Sequence, residues 1–202
     1  MRLLYGTGNP GKLDYMRQAI AGLGIELYSL KAFAGAVPEV KENGNTPLEN
    51  ARIKAMAYYK AFRVPLFSCD TGLYFEQVPD EIQPGVHVRN VNGKYLNDDE
   101  MTVYYSSLAG RYGPLKARYR NAVCLILDEH TMIESMDDTL AGESFYLTSR
   151  PHSKRIKGFP IDPLRVDIKT GIYYYDLEET AREGRTGQSG FCEFFKANIS
   201  AK

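Results

Sequence analysis

The sequence of 202 residues lacks the features that mark a membrane-spanning or secreted chain. Its apolar runs fall far short of the roughly 20 residues that cross a bilayer. Its N-terminus has one arginine before a short apolar run that soon becomes glycine-rich, which does not resemble a signal peptide. The 25 basic and 25 acidic residues cancel, so no net charge favours a nucleic-acid or membrane surface. These absences predict a protein with neither kind of partner.

Cysteine and histidine are scarce as well. Cys69, Cys124 and Cys192 are an odd number of cysteines without metal-binding spacing, and the three histidines are scattered. Reduced thiols in a cytoplasmic protein are therefore the prediction. A hydrophobic content of 44% suffices for a substantial core. The length predicts a single domain over residues 1–202, which could be divided into two small lobes.

What the sequence does contain is a glycine-rich turn, Gly6–Lys12, between an apolar strand at 3–5 and a helical pattern at 13–23. Such a turn aims backbone N–H groups outward, and the helix N-terminus adds partial positive charge, so the turn suits a phosphate group. The alternative is a plain strand-to-helix turn in which glycine serves the backbone dihedrals. The predicted substrate-binding residues of this turn are Thr7, Gly8, Asn9 and Lys12.

The same turn matches most of a P-loop, since Gly6 is followed after four residues by Gly11 and Lys12. A P-loop continues with Ser or Thr, which reaches the magnesium ion, whereas this chain has Leu13. Pro10 also removes one N–H group from the phosphate cradle. A P-loop kinase or NTPase is therefore the weaker interpretation.

Thr46-Pro47-Leu48-Glu49 is typical of a helix start, with Thr46 as the N-cap and Glu49 in the capping-box position. The helix is predicted to end near Phe62. Asn50 and Lys54 are four residues apart and therefore share one helix face.

A buried strand is predicted over residues 65–70, with Asp70 at its end before Thr71-Gly72. In α/β folds, ligands bind beyond the ends of strands, which makes Asp70 a candidate site residue. The alternative is an Asx-turn in which Asp70 bonds its own backbone.

The second half of the chain is rich in strands, predicted at 116–128, 130–136 and 144–147, and it ends in a helix at 189–199. Alternating strands and helices followed by a strand-rich region predict an α/β protein with a mixed sheet. The basic loop 149–163 is either a solvated surface or a segment that closes over a polyphosphate.

Five segments, in order, resemble the inosine triphosphate pyrophosphatase (Ham1-like) family, and together they cover nearly the whole chain. They are Thr7-x-Asn9-x-x-Lys12; Glu42-Asn43-Gly44 with the helix start and Lys54-Ala55; Asp70-Thr71-Gly72-Leu73; Pro84-Gly85-Val86 with Arg89 and Ala117-Arg118-Tyr119; and Gly158-Phe159-x-x-Asp162-Pro163.

The resemblance implies a Mg²⁺-dependent nucleoside triphosphate pyrophosphatase. Such an enzyme cuts between the α- and β-phosphates and prefers deaminated purines, such as inosine and xanthosine triphosphates. It implies an elongated mixed sheet with flanking helices and two lobes around a central cleft. It also implies a homodimer that removes unwanted nucleotides from the cellular pool.

Residue by residue, the resemblance implies catalytic roles for Asp70, Lys12 and Lys54. The implied metal ligands are Asp70, Glu42 and, as a weaker candidate, Glu39. Glu49 is explained by capping, with a supporting role beside the metal as an alternative. The other implied substrate-binding residues are Thr71, Phe159 against the base, Asp162 as its hydrogen-bond partner, and Arg182.

The sequence departs from the family at three places. Cys69 stands where the family has a second acid, and Pro160-Ile161 replaces Gly-Tyr in the base loop. Near the C-terminus, Arg182 stands at a lysine and residues 186–188 replace Ser-His-Arg, with Arg185 as a possible substitute for the lost charge. The Cys69 change predicts a weaker metal site or a slower reaction, and the changes at the base-reading end predict a changed or looser base preference. The alternative function is a nucleotide-binding module whose catalysis is weakened.

Overall fold

The computed structural model describes residues 1–33, 37–76, 78–178 and 187–199. In these ranges the chain has a mixed α/β architecture. Its α-helices are α1 (Pro10–Ala19), α2 (Pro47–Phe62), α3 (Asp98–Tyr112) and α4 (Gln188–Asn198). None of the helices in the described ranges is long and apolar enough to cross a membrane.

The main sheet has seven strands in the described residues, in the order β2-β1-β3-β6-β8-β9, with β7 also paired to β6. β1 runs parallel to β2 and β3, whereas the β6–β7, β6–β8 and β8–β9 pairs are antiparallel. The strands are β1 (Arg2–Tyr5), β2 (Glu26–Ser29), β3 (Leu66–Phe75), β4 (Asn90–Val91), β5 (Lys94–Tyr95), β6 (Leu115–Asp128), β7 (Thr131–Ser135), β8 (Phe145–Leu147) and β9 (Arg165–Asp167). The mixed sheet with flanking helices confirms the predicted fold class.

The chain divides into two compact units, and β3 and β6 each contribute residues to both. Unit 1 comprises Met1–Thr71, Arg120–Ala141 and Gly187–Lys202, and unit 2 comprises Gly72–Tyr119 and Gly142–Thr186.

Unit 1 has two hydrophobic clusters, which follow the alternation of its strands. Leu3 of β1 packs with α1 and α4, whereas the next residue, Leu4, packs with α2. In β3, Phe67 likewise packs with α1 and α4, and Leu66 packs with α2. Because successive side chains of a strand point to opposite faces, α2 covers one face of the unit 1 sheet and α1 and α4 cover the other.

Unit 2 has its own core. Met101 and Tyr105 of α3 pack with β3, β6 and β8, including Leu73 and Leu147, both fully buried. Ile161, which replaces the family's tyrosine, is 3% exposed in the same cluster. Burial of this side chain explains why an apolar residue is accepted there.

Two predicted boundaries were wrong. β3 continues through Asp70 to Phe75, because the alternation of buried residues resumes at Leu73 and Phe75 beyond the glycine. The first helix ends at Ala19 rather than near residue 23, because Gly22 and Gly24 adopt left-handed backbone conformations that end the helical path.

The predicted helices that begin at Thr46 and at residue 189 are confirmed. Thr46 caps α2, and its hydroxyl oxygen accepts from the Glu49 N–H at 3.2 Å. The predicted C-terminal helix 189–199 corresponds to α4. A short hairpin lies in the segment 79–95, where the Asn92-Gly93 turn, with positive φ at both residues, joins β4 to β5.

Candidate active site

The centre of the candidate site is the ammonium group of Lys54 in unit 1. Its Nζ lies 2.7 Å from Oε2 of Glu42 and 2.8 Å from Oδ1 of Asp70. Helix α2 supplies the lysine, the loop before α2 supplies Glu42, and β3 supplies Asp70. Three residues that the family resemblance singled out therefore meet at one point.

Lys54 is almost fully buried, with 7% of its surface exposed. Burial by itself lowers the pKa of a lysine. The carboxylates of Asp70 and Glu42 outweigh this effect, and the pKa of Lys54 is raised above its ordinary value. The group is therefore a permanent cation at neutral pH, and it holds two carboxylates within hydrogen-bond distance of one nitrogen.

Asn50 lies one turn before Lys54 and is 3% exposed. Its Nδ2 donates to Oδ2 of Asp70 at 3.2 Å, and its Oδ1 accepts from the Gly44 N–H at 2.8 Å. A Cβ added to Gly44 would lie 2.6 Å from Cβ of Glu49, so the loop approaches α2 closely only because residue 44 is glycine. The amide of Asn50 thus orients Asp70 and holds in place the loop that carries Glu42 and Gly44. The four-residue spacing from Lys54 was the only sequence signal for this role.

The carboxylate of Glu49 is engaged at the start of α2, where its Oε2 accepts from the Asn45 N–H at 2.6 Å. Glu49 therefore holds the start of α2 through Asn45, the residue before the N-cap, rather than through the N–H of Thr46 as in a capping box. Glu39, the weaker metal candidate, has an exposed side chain in the loop before α2.

Thr71 follows Asp70 in β3, and its hydroxyl donates to Oδ1 of Asn121 in β6 at 2.8 Å. The Asn121 amide in turn donates to the Leu140 carbonyl at 2.8 Å. These bonds fix the Thr71 side chain beside Asp70. Thr71 and Asn121 are 50 positions apart in sequence, so no local sequence pattern could predict this contact.

The predicted phosphate-binding turn caps its own helix in this conformation. Oδ1 of Asn9 accepts from the N–H groups of Gly11 at 2.9 Å and Lys12 at 3.4 Å. The Thr7 hydroxyl oxygen accepts from the Asn9 N–H at 3.1 Å. Gly8 and the side chain of Lys12 are exposed. The turn therefore offers an exposed cation, while Asn9 already occupies two of its backbone N–H groups.

Gly6 ends β1 where the chain passes very close to two other elements. A Cβ at this position would lie 2.2 Å from Oγ of Ser68 in β3 and 2.7 Å from Cδ2 of Tyr58 in α2. The glycine therefore serves close packing, a reason that neither interpretation of the turn included, and none of Gly6, Gly8 and Gly11 has a positive φ.

Cys69 lies in the apolar cluster of Tyr5 and Phe67 and is 9% exposed. Burial raises the pKa of the Cys69 thiol to about 12, against the effect of a hydrogen bond with Tyr5. The thiol is therefore neutral at physiological pH and fills the core, as predicted. Cys69, Cys124 and Cys192 all carry free thiols.

The predicted base loop lies in unit 2. Phe159 is 51% exposed, which leaves its ring available for stacking. Asp162 is largely buried and lies 3.1 Å from Nη1 of Arg165. Burial raises the pKa of Asp162 although Arg165 opposes the shift. The basic side chains before this loop, at Arg150, Lys154, Arg155 and Lys157, are exposed.

Sequence reasoning missed Arg165. Its guanidinium carbon lies 4.1 Å from the ring centroid of Tyr174 and 4.4 Å from that of Phe145. A buried arginine between aromatic rings is a strong partner for the Asp162 carboxylate. Arg165 is thus the charged group that holds Asp162.

The C-terminal site predictions fall partly outside the described residues. Arg182, Arg185 and Thr186 lie there. Gly187 is described and begins α4 with a positive φ of 74°. A Cβ at this position would lie 2.5 Å from the Leu140 carbonyl oxygen, so glycine replaces the family's histidine where the backbone is tightly packed.

Glu42 and Asp70 are the carboxylates best placed to hold a metal. In residues 1–33, 37–76, 78–178 and 187–199, no cluster of three or more His, Cys, Asp and Glu residues forms a ready-made metal site. Mg²⁺ is commonly bound by one or two carboxylates, with waters and substrate phosphates completing its shell. Two adjacent carboxylates therefore fit that cation, with the substrate supplying further oxygens.

Known proteins of similar sequence and fold indicate one family. The model of the Ham1 family matches residues 3–164. The chain is 33% identical over 197 residues to a dITP/XTP pyrophosphatase of Thermus thermophilus, which covers 94% of this chain and 88% of that protein. It is 30% identical over 145 residues to the dITP/XTP pyrophosphatase of Porphyromonas gingivalis, covering 70% and 73% of the two chains.

Among solved structures, the fold is similar to that of a HAM1 protein from Coxiella burnetii. That pair has a TM-score of 0.78 and 20% identity, and the match covers 99% of this chain and 98% of the other. The Ham1 protein of Staphylococcus aureus gives a TM-score of 0.77 at 16% identity, with 98% of each chain covered.

Proposed function

The chain belongs to the Ham1 family, and we propose that this nucleoside triphosphate pyrophosphatase acts on deaminated purine nucleoside triphosphates, such as those of inosine and xanthosine. Relatives at about a third identity are named dITP/XTP pyrophosphatases. The observation that carries the proposed reaction is the ammonium group of Lys54 held between the carboxylates of Glu42 and Asp70, and the names of the relatives support the proposed bases.

The reaction adds water across the α–β phosphoanhydride and releases a nucleoside monophosphate and pyrophosphate. We assign Asp70 to orient the attacking water and accept its proton, because its carboxylate is fixed by both Lys54 and Asn50. Lys54 and Lys12 supply positive charge for the phosphates, whose negative charge shifts toward the departing pyrophosphate.

Enzymes of this family generally need a divalent metal, and we propose that the metal is Mg²⁺. Glu42 and Asp70 would hold it, with Glu39 as a further carboxylate from the same loop. When bound, the cation neutralises phosphate charge and polarises the bond that breaks. Lys54 keeps the two carboxylates close together and compensates their charge.

We assign the base to the loop of Phe159 and Asp162 in unit 2. The exposed ring of Phe159 is suited to stack on a purine, and Asp162 would accept hydrogen bonds from the base. Thr7, Gly8, Asn9, Thr71 and Arg182 complete the proposed substrate contacts. Because Pro160 has no N–H and Ile161 is buried, two contacts that the family pattern offers are absent, and the choice among bases is expected to be looser.

A weakened, nucleotide-binding role is the second candidate. The observation in its favour is Cys69, a buried neutral thiol where the family has an acid. That function predicts thermal stabilisation by nucleoside triphosphates without any product.

We further propose that the protein is a homodimer, as the family resemblance implies, and that it is located in the cytoplasm. Its free thiols fit a reducing compartment of this kind. Sedimentation velocity at micromolar concentration tests the dimer, and a species with the mass of one chain would contradict it.

The test of substrate choice is a panel of inosine, xanthosine, guanosine, adenosine and pyrimidine triphosphates, in ribo and deoxy forms, with Mg²⁺. Pyrophosphate released fastest from inosine and xanthosine triphosphates supports the proposal. Faster release from another base contradicts the assigned substrate class but keeps the reaction. Binding without product from any of them favours the second candidate.

A further inference from the structure

The segment Gly158–Pro160 is attached to helix α3 by two side chains of that helix. Oδ2 of Asp98 accepts from the Gly158 N–H at 2.6 Å, and the Thr102 hydroxyl lies 2.9 Å from the Pro160 carbonyl oxygen. These two contacts flank Phe159 on either side. Asn97 and Glu100 form the capping box at the start of α3, and Asp98 lies between them in sequence.

The carboxylate of Asp98 is itself held in place. Its Oδ1 lies 2.7 Å from Nη2 of Arg89. The Gly158 N–H and the Arg89 guanidinium lower the pKa of Asp98, so the group is ionised at neutral pH. Hydrogen bonds to an ionised acceptor are stronger than those between neutral groups.

The backbone on both sides of Phe159 is also constrained. Gly158 has a φ of 87°, a conformation that favours glycine, and the Phe159 N–H donates to the Ile156 carbonyl at 3.1 Å. After Pro160, the side chain of Ile161 is buried in the unit 2 core. The side chain of Phe159 remains half exposed. A fixed backbone that carries an exposed aromatic ring is suited to stacking on a flat ligand.

We propose that Asp98, together with Thr102, is a positioning residue for the base of the substrate. It fixes Gly158–Pro160 so that the Phe159 ring is held in one orientation before a nucleotide arrives. Pre-ordering this ring reduces the entropy lost on binding. The effect acts on the base and not on the phosphates. This inference rests on the proposed role of Phe159 in base stacking.

The test compares Asp98→Ala with Asp99→Ala in the full-length protein. Both acids lie in the first turn of α3, so the two variants lose the same charge beside the same helix end, but only Asp98 bonds the loop. The Gly158 N–H is exposed, so water can replace the lost partner and the fold is retained. Calorimetry measures the affinity for inosine monophosphate and, separately, for pyrophosphate, each with Mg²⁺.

We expect Asp98→Ala to weaken inosine monophosphate binding about tenfold, the worth of one hydrogen bond to a charged group. We expect pyrophosphate binding to remain within about twofold of the wild type. In turnover, KM for inosine triphosphate should rise while kcat changes little. Asp99→Ala should match the wild type in every measurement.

A double-variant cycle shows whether Asp98 acts through the ring. If it does, Asp98→Ala adds no further loss of inosine monophosphate affinity in a Phe159→Ala background. Additive losses would overturn the inference. Equal behaviour of the Asp98 and Asp99 variants would overturn it too, as would a proportionate loss of pyrophosphate binding, which indicates general damage.

Thr102→Val is the second variant, should Asp98→Ala not fold. It keeps the side-chain volume and removes the hydroxyl beside Pro160, so the same selective loss of inosine monophosphate affinity is expected. A wild-type protein that binds neither inosine monophosphate nor pyrophosphate would overturn the proposed function and the inference together. Wild-type activity with unchanged behaviour of the Asp98 and Thr102 variants would overturn the inference alone.

Discussion

Nζ of Lys54 in helix α2 lies 2.8 Å from Oδ1 of Asp70 in strand β3, and their side chains are only 9% and 13% exposed. The pair joins a helix to the strand that carries the proposed catalytic acid. A buried lysine and a buried carboxylate are each costly alone and acceptable together. The site and the stability of unit 1 therefore depend on the same contact.

Lys54→Met removes the cation and keeps a long apolar stem. We expect the free energy of unfolding to fall by about 3 kcal/mol, since Asp70 is left buried without its partner. Urea unfolding followed by circular dichroism measures the change. Lys60→Met, at an exposed position of the same helix, is the control and should change stability by less than about 0.5 kcal/mol. Equal stability of the two variants would contradict the coupling of site and fold.

Arg52 and Glu134 form a bidentate ion pair, in which Nε and Nη2 of the arginine each lie 2.6 Å from a carboxylate oxygen. The Arg52 hydrogen bonds lower the pKa of Glu134. Because the pKa of Glu134 is lower in the folded than in the unfolded state, the ion pair stabilises the fold above the unfolded-state pKa of about 4.3. This stabilisation is lost as the pH falls through the folded-state pKa.

We therefore expect Glu134→Gln to be less stable than the wild type by about 1 kcal/mol at pH 7. The difference should shrink steadily below pH 5. Urea unfolding from pH 3 to pH 7 measures it, with the exposed Glu193→Gln as the control. A difference that does not depend on pH would show that the pair contributes through packing alone.

Gly6→Ala places a methyl group 2.2 Å from Oγ of Ser68. We expect a loss of about 1–3 kcal/mol from overpacking, seen as a lower melting temperature. Gly8→Ala is the matched control two residues away, because a Cβ there has no neighbour within 4 Å among the described residues. If both variants had the melting temperature of the wild type, the close approach of β1 to β3 and α2 would be refuted.

Cys69→Asp tests whether the missing family acid can be restored. The new carboxyl would enter the apolar cluster of Tyr5 and Phe67, so we expect a loss of about 2 kcal/mol or more and no gain in pyrophosphate release. Cys69→Ala, which removes the thiol without adding charge, is the comparison. A clear gain in activity from the acid would instead favour the binding-module interpretation of the natural protein.

The sequence predicted the parts of the site that follow local rules. The cap at Thr46 and the four-residue spacing of Asn50 and Lys54 fixed which face of α2 is polar, and the family motifs indicated Asp70 and Glu42. The continuation of β3 was missed because Thr71-Gly72 is typical of a turn, although Leu73 and Phe75 restore the buried alternation.

The long-range contacts between elements were beyond sequence reasoning. Asn121 bonds Thr71 across 50 positions, Asp98 bonds Gly158 across 60, and Arg52 bonds Glu134 across 82. Such contacts depend on which strands and helices become neighbours. Helical and strand periodicities report only on residues a few positions apart.

The most direct test of the central claim is product analysis of inosine triphosphate hydrolysis with Mg²⁺ by the wild type and by Asp70→Asn. The wild type should release inosine monophosphate and pyrophosphate in equal amounts. Asp70→Asn, checked by circular dichroism for an intact fold, should be slower by about a hundredfold or more, because it loses the group assigned to orient and deprotonate water. Orthophosphate with inosine diphosphate as the products, or full activity of Asp70→Asn, would contradict the account.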